Sequence, residues 1–189
     1  VYLVADPMGT DSTQITANRF TLRCSTPSDS VLGMLSIPQD DIELPFIPES
    51  GDFTLTKDPS GTYSITSEDP SSLNAALTSF TKEVNEKTKA LATERESLEK
   101  QIRQASDPKE SREIQAKIDQ VRVESAGIRS TIAAKYYESH HDDLVGALLF
   151  KELDYADEAE YVALYEGASD LVRSDAKNTE RYSKAKNAL

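Results

Sequence analysis

The segment "YESHHDDLVGALL", residues 137–149, contains the only two histidines of the chain, His140 and His141, followed directly by Asp142 and Asp143. Imidazole beside carboxylate could form a metal site or an acid–base pair. The spacing argues against both, because adjacent residues point about 100° apart on a helix and to opposite sides of a strand. A structural zinc site also needs four ligands, and no second His or Cys cluster would complete one. We therefore predict a polar loop and the start of a helix capped by His141 or Asp142.

No other motif in the sequence points to catalysis. Cys24 is the single cysteine, so it can form no internal disulfide and no CxxC pair. We expect it to be a small half-buried side chain, because a reactive thiol needs an electropositive pocket and only Arg19 and Arg23 lie near it in sequence. Glycine-rich phosphate loops, zinc-protease motifs and nucleophile elbows are absent from the sequence. We therefore predict no catalytic, cofactor-binding or metal-ligating residues and no cofactor.

Tyrosines are frequent in the second half of the chain, and paired carboxylates are too common to be informative. Five tyrosines at helical spacing are more typical of core or interface packing than of a cofactor pocket; they are Tyr136, Tyr137, Tyr155, Tyr161 and Tyr165. The chain has 33 Asp and Glu residues, so the sequence offers no way to choose a catalytic pair.

The composition excludes some classes of partner. The chain has 189 residues, which suits one large domain or two small ones, and its formal net charge is −12. An acidic protein is repelled by phosphate backbones and by anionic membrane surfaces, so we expect no nucleic-acid partner. No apolar run reaches the roughly 18 residues of a membrane-spanning helix.

Residues 1–68 have the alternating pattern of short strands separated by Pro, Gly, Asp and Ser turns. We predict an antiparallel sheet or small sandwich, in which "KDPSGT" joins the last two strands as a hairpin turn. The six predicted strands are "VYLVAD", "STQITANRFTLRCS" with Ile15, Phe20 and Leu22 inward, "SVLGMLSI", "DIELPFI", "GDFTLT" and "TYSIT". Because the chain opens directly on a strand typical of the middle of a domain, we expect a preceding segment and a first strand to be missing.

Residues 69–189 have the period of helices, which makes the predicted fold class α+β. Asp69 and Pro70 suit a helix start, and Leu77, Val84, Leu91 and Leu98 then recur every seven residues. After a second start at Ser106 or Asp107 with Pro108, we predict that both helices form a long antiparallel hairpin over residues 70–138. Three shorter helices over 142–189 should form a small bundle. Either the hairpin surface is solvated, or its thin apolar seam docks on another domain or subunit.

The order of these segments resembles a family of domains of unknown function. "VYLVADPMGTDSTQITANRFTLRCS" is similar to its pattern "v-Y-L … i-D-S-a … d-g-x-F-x-f-x-G", and "DIELPFIPESGDFTL" to "i-P-l-f-l-E-p-G-x-i-t-l", with Glu49 and Gly51 in matching places. "ITSEDPSSLNAALTSF" resembles "i-x-G-t-x-x-N-x-x-l-x-x-F" through Asn74 and Phe80, and "YYESHHDDLVGALLFKEL" resembles "f-i-x-x-N-p-d-S-l-v-G-a-y-l-l". In that family the domain precedes an AhpC/TSA-type, thioredoxin-like domain of the TlpA/ResA type, in exported proteins of Gram-negative gut bacteria.

The resemblance implies a non-catalytic accessory domain of a periplasmic or outer-membrane-anchored thiol–disulfide oxidoreductase. Such a domain would position a thioredoxin-like domain in cis, recognise client proteins, or form a homodimer through the helical hairpin. The family has no assigned catalytic residues, so none is carried over. The alternative is a stand-alone periplasmic or surface lipoprotein that binds a small ligand or peptide in its β domain. An independent enzyme such as a hydrolase is the weakest hypothesis, because it would need a cleft of converging carboxylates or histidines.

Overall fold

The computed structural model describes residues 1–5, 9–17, 19–23, 31–57 and 63–189, and it confirms the α+β class. Antiparallel strands come first in the chain and helices follow. The strands are β1 (Tyr2–Ala5), β2 (Gly9–Ser12), β3 (Gly33–Ile37), β4 (Ile42–Phe46), β5 (Phe53–Lys57) and β6 (Tyr63–Ser67). The helices are α1 (Leu73–Gln104), α2 (Pro108–His140), α3 (Leu144–Phe150), α4 (Glu158–Glu166), α5 (Asp170–Ser174) and α6 (Ala176–Ala188).

The strands form two antiparallel sheets. One has the order β2-β1-β3-β4, and the other pairs β5 with β6. Side chains alternate between the two faces of a strand, so Leu35 and Ile37 of β3 are buried while Met34 is exposed. Ile65 of β6 belongs to the same buried cluster as Leu35 and Ile37, so the two sheets share an apolar interior. We call these two sheets and their connections the β unit.

The predicted second strand over residues 12–25 is wrong in its described part. The strand β2 lies earlier, at Gly9–Ser12, because its backbone pairs with β1 residue by residue. After it the chain reverses: Thr16 and Arg19 bond to each other, and Ala17 has a positive φ of 51°. Ile15 is exposed and therefore does not face inward, whereas Phe20 and Leu22 pack against the cluster as predicted.

The helix α1 starts later than the sequence indicated. Ser72, not Asp69, is its N-cap, and the Ser72 hydroxyl accepts a hydrogen bond from the backbone N–H of Ala75. Asp69 instead binds the N–H and hydroxyl of Ser71 in the turn before the helix. At the second start the prediction is confirmed, since Asp107 caps α2 and Pro108 occupies its first turn.

The end of α1 contacts the start of α2, and the first part of α1 contacts the end of α2. Near the connection between them, Leu98 of α1 packs with Ile114 and Ile118 of α2. Near the other end, the Lys135 ammonium of α2 lies 2.9 Å from the Glu83 carboxylate of α1. The apolar contact near the connection consists of four buried residues, the fourth being Val121, and three partly buried ones.

Within the described residues, four helices follow α2 rather than three. The predicted helix over residues 142–153 is shorter and begins at Leu144. The predicted last helix is divided into α5 and α6 at Asp175, whose carboxylate accepts hydrogen bonds from the N–H groups of Lys177 and Asn178. An acidic side chain bonded to these free N–H groups starts a new helix, because it satisfies donors that have no partner inside the helix.

The largest core lies where α3–α6 pack on α1 and α2. Phe150, Val145 and Val172 are fully buried there, and Ile47, which follows β4, is buried in the same cluster. The predicted boundary between residues 68 and 69 falls in the connection between β6 and α1. Ile47 lies before this boundary in the chain, but its side chain is buried in the core of the helices. None of the described helices has the length and apolarity that crossing a membrane requires.

Candidate functional site

The two histidines lie at the junction between α2 and α3. His140 is the last residue of α2, and Asp143 is the N-cap of α3. One carboxylate oxygen of Asp143 accepts from the backbone N–H of Gly146 at 3.1 Å, and the other lies 2.6 Å from Nδ1 of His140. The predicted helix start is therefore present, but the capping residue is Asp143 and not His141 or Asp142.

The second histidine has different neighbours. Nε2 of His141 lies 3.2 Å from a carboxylate oxygen of Asp142, and its Nδ1 lies 3.2 Å from the carbonyl oxygen of Glu138. The imidazoles of His140 and His141 thus contact separate groups and do not converge. Across the described residues, no three His, Cys, Asp or Glu side chains are grouped so that they could hold a metal ion.

The tyrosines surround Phe150 in the helical core. The rings of Tyr155 and Tyr161 meet edge to face at 4.8 Å between centroids, and Tyr165 stacks on Tyr182 at 4.4 Å. Burial raises the pKa of Tyr155 far above its ordinary value and also raises the pKa of Tyr161. At neutral pH both are therefore protonated hydrogen-bond donors, as in the bond from the Tyr161 hydroxyl to the carbonyl of Asn178. This arrangement is aromatic packing, as expected from the spacing.

A polar cluster that we did not predict joins the β unit to α1. Asn74 is 2% exposed, and its side chain bonds to both the N–H and the C=O of Ile47, at 2.9 and 2.7 Å. The Glu49 carboxylate accepts hydrogen bonds from the hydroxyl of Ser72, the N–H groups of Leu73 and Asn74, and the amide of Asn74. Because these groups satisfy one another, the cluster fixes the loop after β4 to the first turn of α1.

The β unit contains an open cleft of about 980 Å³. It is lined by the segment Arg19–Arg23, by Phe46 and by the start of β5. The remaining lining residues are the apolar Leu3, Leu35 and Ile65 of the sheets and the loop 48–52, which contains the carboxylates of Glu49 and Asp52. A second, more polar cleft of about 530 Å³ adjoins it along residues 49–54.

Around this cleft the apolar side chains are incompletely buried. Four residues of the cluster are buried, but seven more that pack against it remain half-buried. These seven are Phe20, Leu22, Ile42, Leu44, Phe46, Phe53 and Leu55. Phe46 and Phe53 meet edge to face with their centroids 5.2 Å apart. The interior of the β unit is thus open to solvent at a place lined by aromatic and aliphatic groups.

The segment Arg19–Arg23 has the side-chain alternation of a strand without being paired as one. Phe20 and Leu22 are half-buried, whereas Arg19, Thr21 and Arg23 are exposed. The N–H of Arg23 bonds to the Asp11 carboxylate at 2.6 Å, and Arg19 bonds to Thr16. Within the described part of the chain, the backbone groups of residues 20–22 make no hydrogen bond to another residue. Cys24, predicted at the end of this strand, lies outside the described residues.

The sequence identified the walls of the cleft but not the cleft. The predicted alternation placed Phe20 and Leu22 on an inward face, which is where they lie. Whether inward faces meet or leave a gap depends on the separation of the sheets, and no local pattern encodes that separation.

Compared with known proteins, the chain matches no family model, no curated protein and no solved structure.

Proposed function

We propose that the chain is a non-catalytic binding module whose β unit holds an apolar ligand or client segment in the cleft lined by Arg19–Arg23 and β5. The observation that carries this proposal is the open cleft of about 980 Å³ with half-buried aromatic and aliphatic walls. Ligand sites in proteins are concave, mostly apolar and about 300–1,000 Å³ in volume, with a few polar groups that set orientation. Arg19 and Asp52 are such groups at this cleft.

The energetics also support binding at this surface. Removing apolar surface from water stabilises a complex by about 25 cal/mol per Å². The three phenylalanines of the cleft, together with Leu22 and Leu55, keep part of their surface in water, so an apolar occupant would complete their burial. By contrast, the aromatic residue Phe150 of the helical core is fully buried and offers no such gain.

The hydrogen bonds that His140 and Glu49 make within the fold support a non-catalytic role. The side chain of His140 is bonded to Asp143, which also caps α3. The Glu49 carboxylate receives the donors at the start of α1. A general acid or base must be able to reach a substrate proton, and these groups are engaged in holding the fold.

The resemblance in the sequence supports the wider setting. In that setting the chain is the N-terminal accessory domain of an envelope thiol–disulfide oxidoreductase, periplasmic or anchored to the outer membrane. The β unit would be a small sandwich that recognises the client of a thioredoxin-like domain in cis. The α1–α2 pair would be a helical hairpin that sets the distance to that domain or forms a homodimer, and its contacts in opposite order are consistent with this arrangement.

The second candidate function is a stand-alone periplasmic or surface lipoprotein that binds a small ligand or peptide. The same cleft favours it, and it requires no redox partner. Addition of a separately purified CxxC thioredoxin-like domain distinguishes the two candidates. The accessory domain is expected to bind that domain or to change its rate of insulin reduction, whereas the stand-alone protein leaves both unchanged.

The cleft is tested with Nile red, an uncharged apolar dye that fluoresces in dry surroundings. We expect saturable binding that Leu55→Gln and Leu22→Gln each weaken about five-fold, because partial burial of one leucine contributes about 1 kcal/mol. Leu164→Gln, at an exposed leucine of α4, is the matched control and should bind as the parent does. Equal binding by all four proteins, or insulin reduction by the chain alone, would contradict the proposal.

A further inference from the structure

The strand β5 has one edge without a described partner. Among the described strands β5 pairs only with β6, so its other edge presents backbone N–H and C=O groups. The opposite edge of this small sheet is engaged, because the hydroxyl of Thr78 on α1 donates to the carbonyl of Ile65 on β6. Phe53, Thr54 and Leu55 of this strand line the cleft.

The other wall of the cleft is the segment Arg19–Arg23, which also has backbone groups without a hydrogen-bond partner among the described residues. Its side chains alternate as in a strand, yet residues 20–22 have no backbone partner among the described residues. Exposed or partly exposed strand edges are templates for an additional strand. Three residues of β5 and the segment 19–23 therefore line one cleft, and the described residues provide no further strand partner for either.

The faces of these two segments define what an added strand must look like. Phe20, Leu22, Phe53 and Leu55 face the apolar interior, so alternate residues of an added strand would meet apolar groups there. On the outer face, Arg19 and Arg23 flank Thr21. Neither arginine forms an ion pair with a described residue. Opposite charges directly across strands attract, so the outer positions of the partner should be acidic.

We propose that the cleft binds an extended peptide as an added strand, with aliphatic residues at inward positions and acidic residues at the outward positions beside Arg19 and Arg23. This inference rests on the proposed function and names its partner. Five extended residues span about 17 Å, and the complementary pattern is acidic–aliphatic–hydroxyl–aliphatic–acidic. Backbone hydrogen bonds would supply affinity, and the alternating side chains would supply specificity.

The test is fluorescence polarisation with a labelled peptide GSEVTVEGS and the 189-residue chain. Three matched peptides separate the contributions: GSVEETVGS keeps the composition and breaks the alternation, GSKVTVKGS reverses the charge, and a version N-methylated at both valines removes backbone donors. We expect saturable binding of the first peptide and at least about ten-fold weaker binding of the other three. Equal binding of the N-methylated or rearranged peptide would overturn strand addition.

A charge exchange tests the register. Arg19→Glu with Arg23→Glu should weaken GSEVTVEGS about ten-fold and strengthen GSKVTVKGS by a similar factor, because two cross-strand pairs change sign. Both arginines are exposed, so unchanged thermal unfolding is the control for folding. If Nile red binds and no peptide does, the added strand is refuted while the proposed binding function stands. If the cleft is instead closed by a second copy, as sedimentation would show, the inference is likewise overturned.

Discussion

Two glycines in helices should respond in opposite directions to the same substitution. An alanine Cβ at Gly127, in α2, would meet nothing within 4 Å. At Gly146, in α3, it would overlap the carbonyl oxygen of His140 and lie 2.7 Å from the carbon of that carbonyl. The obstacle is backbone at the α2–α3 junction and not a flexible side chain, so the junction itself would have to move.

The magnitudes follow from two competing effects. Replacing a helical glycine by alanine stabilises a protein by about 1 kcal/mol where the new methyl group is unobstructed. Forcing a methyl group into occupied space costs about 1–3 kcal/mol or more. We therefore expect Gly127→Ala to raise the free energy of unfolding by about 1 kcal/mol, and Gly146→Ala to lower it by about 2 kcal/mol.

Urea denaturation followed by circular dichroism at 222 nm measures both variants, and thermal unfolding provides a second readout. For a chain of this size each kcal/mol shifts Tm by about 2–4 °C, so the two variants should differ by about 6–12 °C. If Gly146→Ala were as stabilising as Gly127→Ala, the close approach of His140 to the first turn of α3 would be refuted.

Three further substitutions test the polar junctions. Asn74→Leu should lower the free energy of unfolding by about 3 kcal/mol in urea melts, because it leaves the buried N–H and C=O of Ile47 without partners at about 1–3 kcal/mol each; a loss below 0.5 kcal/mol would contradict this. Tyr155→Phe should reduce the loss of stability at alkaline pH. Burial raises the pKa of Tyr155 in the folded state, so its contribution to stability is complete below about pH 10, its ordinary pKa, and declines above that pH. An unchanged pH profile of the free energy of unfolding would argue against burial. His140→Ala should cost at most about 1 kcal/mol by removing a half-exposed bond to Asp143, and calorimetry with zinc should detect no stoichiometric binding in the parent or the variant.

The strands that the sequence identified are those whose own side chains carry the pattern. In β5 the alternating Phe53 and Leu55 face inward because of their own hydrophobicity. By contrast, β2 with the sequence "GTDS" has no apolar alternation and exists because its backbone pairs with β1. Local propensity contains no information about such a partner.

The start of α1 shows the same limit for helix caps. Asp69 followed by Pro70 is a typical helix start, but the N–H groups of Leu73 and Asn74 bind Glu49, which lies 24 residues before Leu73. This distant carboxylate supports a helix start at Ser72. The composition and cap pattern around Asp69 could not indicate it, because the deciding contact is tertiary. For the same reason the cleft, which depends on how two sheets are spaced, could be found only in three dimensions.

The side chain of Ile47 makes the β unit and the helical region mutually dependent. It is fully buried among helical residues, and its backbone is bonded to Asn74 of α1. Ile47→Ala should therefore cost about 2–5 kcal/mol, the usual range for truncating a buried isoleucine. Because the β unit buries few residues of its own, we expect it to unfold together with the helical region. Fluorescence of a Trp added in β4 and circular dichroism of the helices should therefore follow one urea transition, in the parent and in the variant. Two separate transitions in the parent would show that the predicted division at residue 68 is a true domain boundary, and that the contact at Ile47 does not couple the two parts.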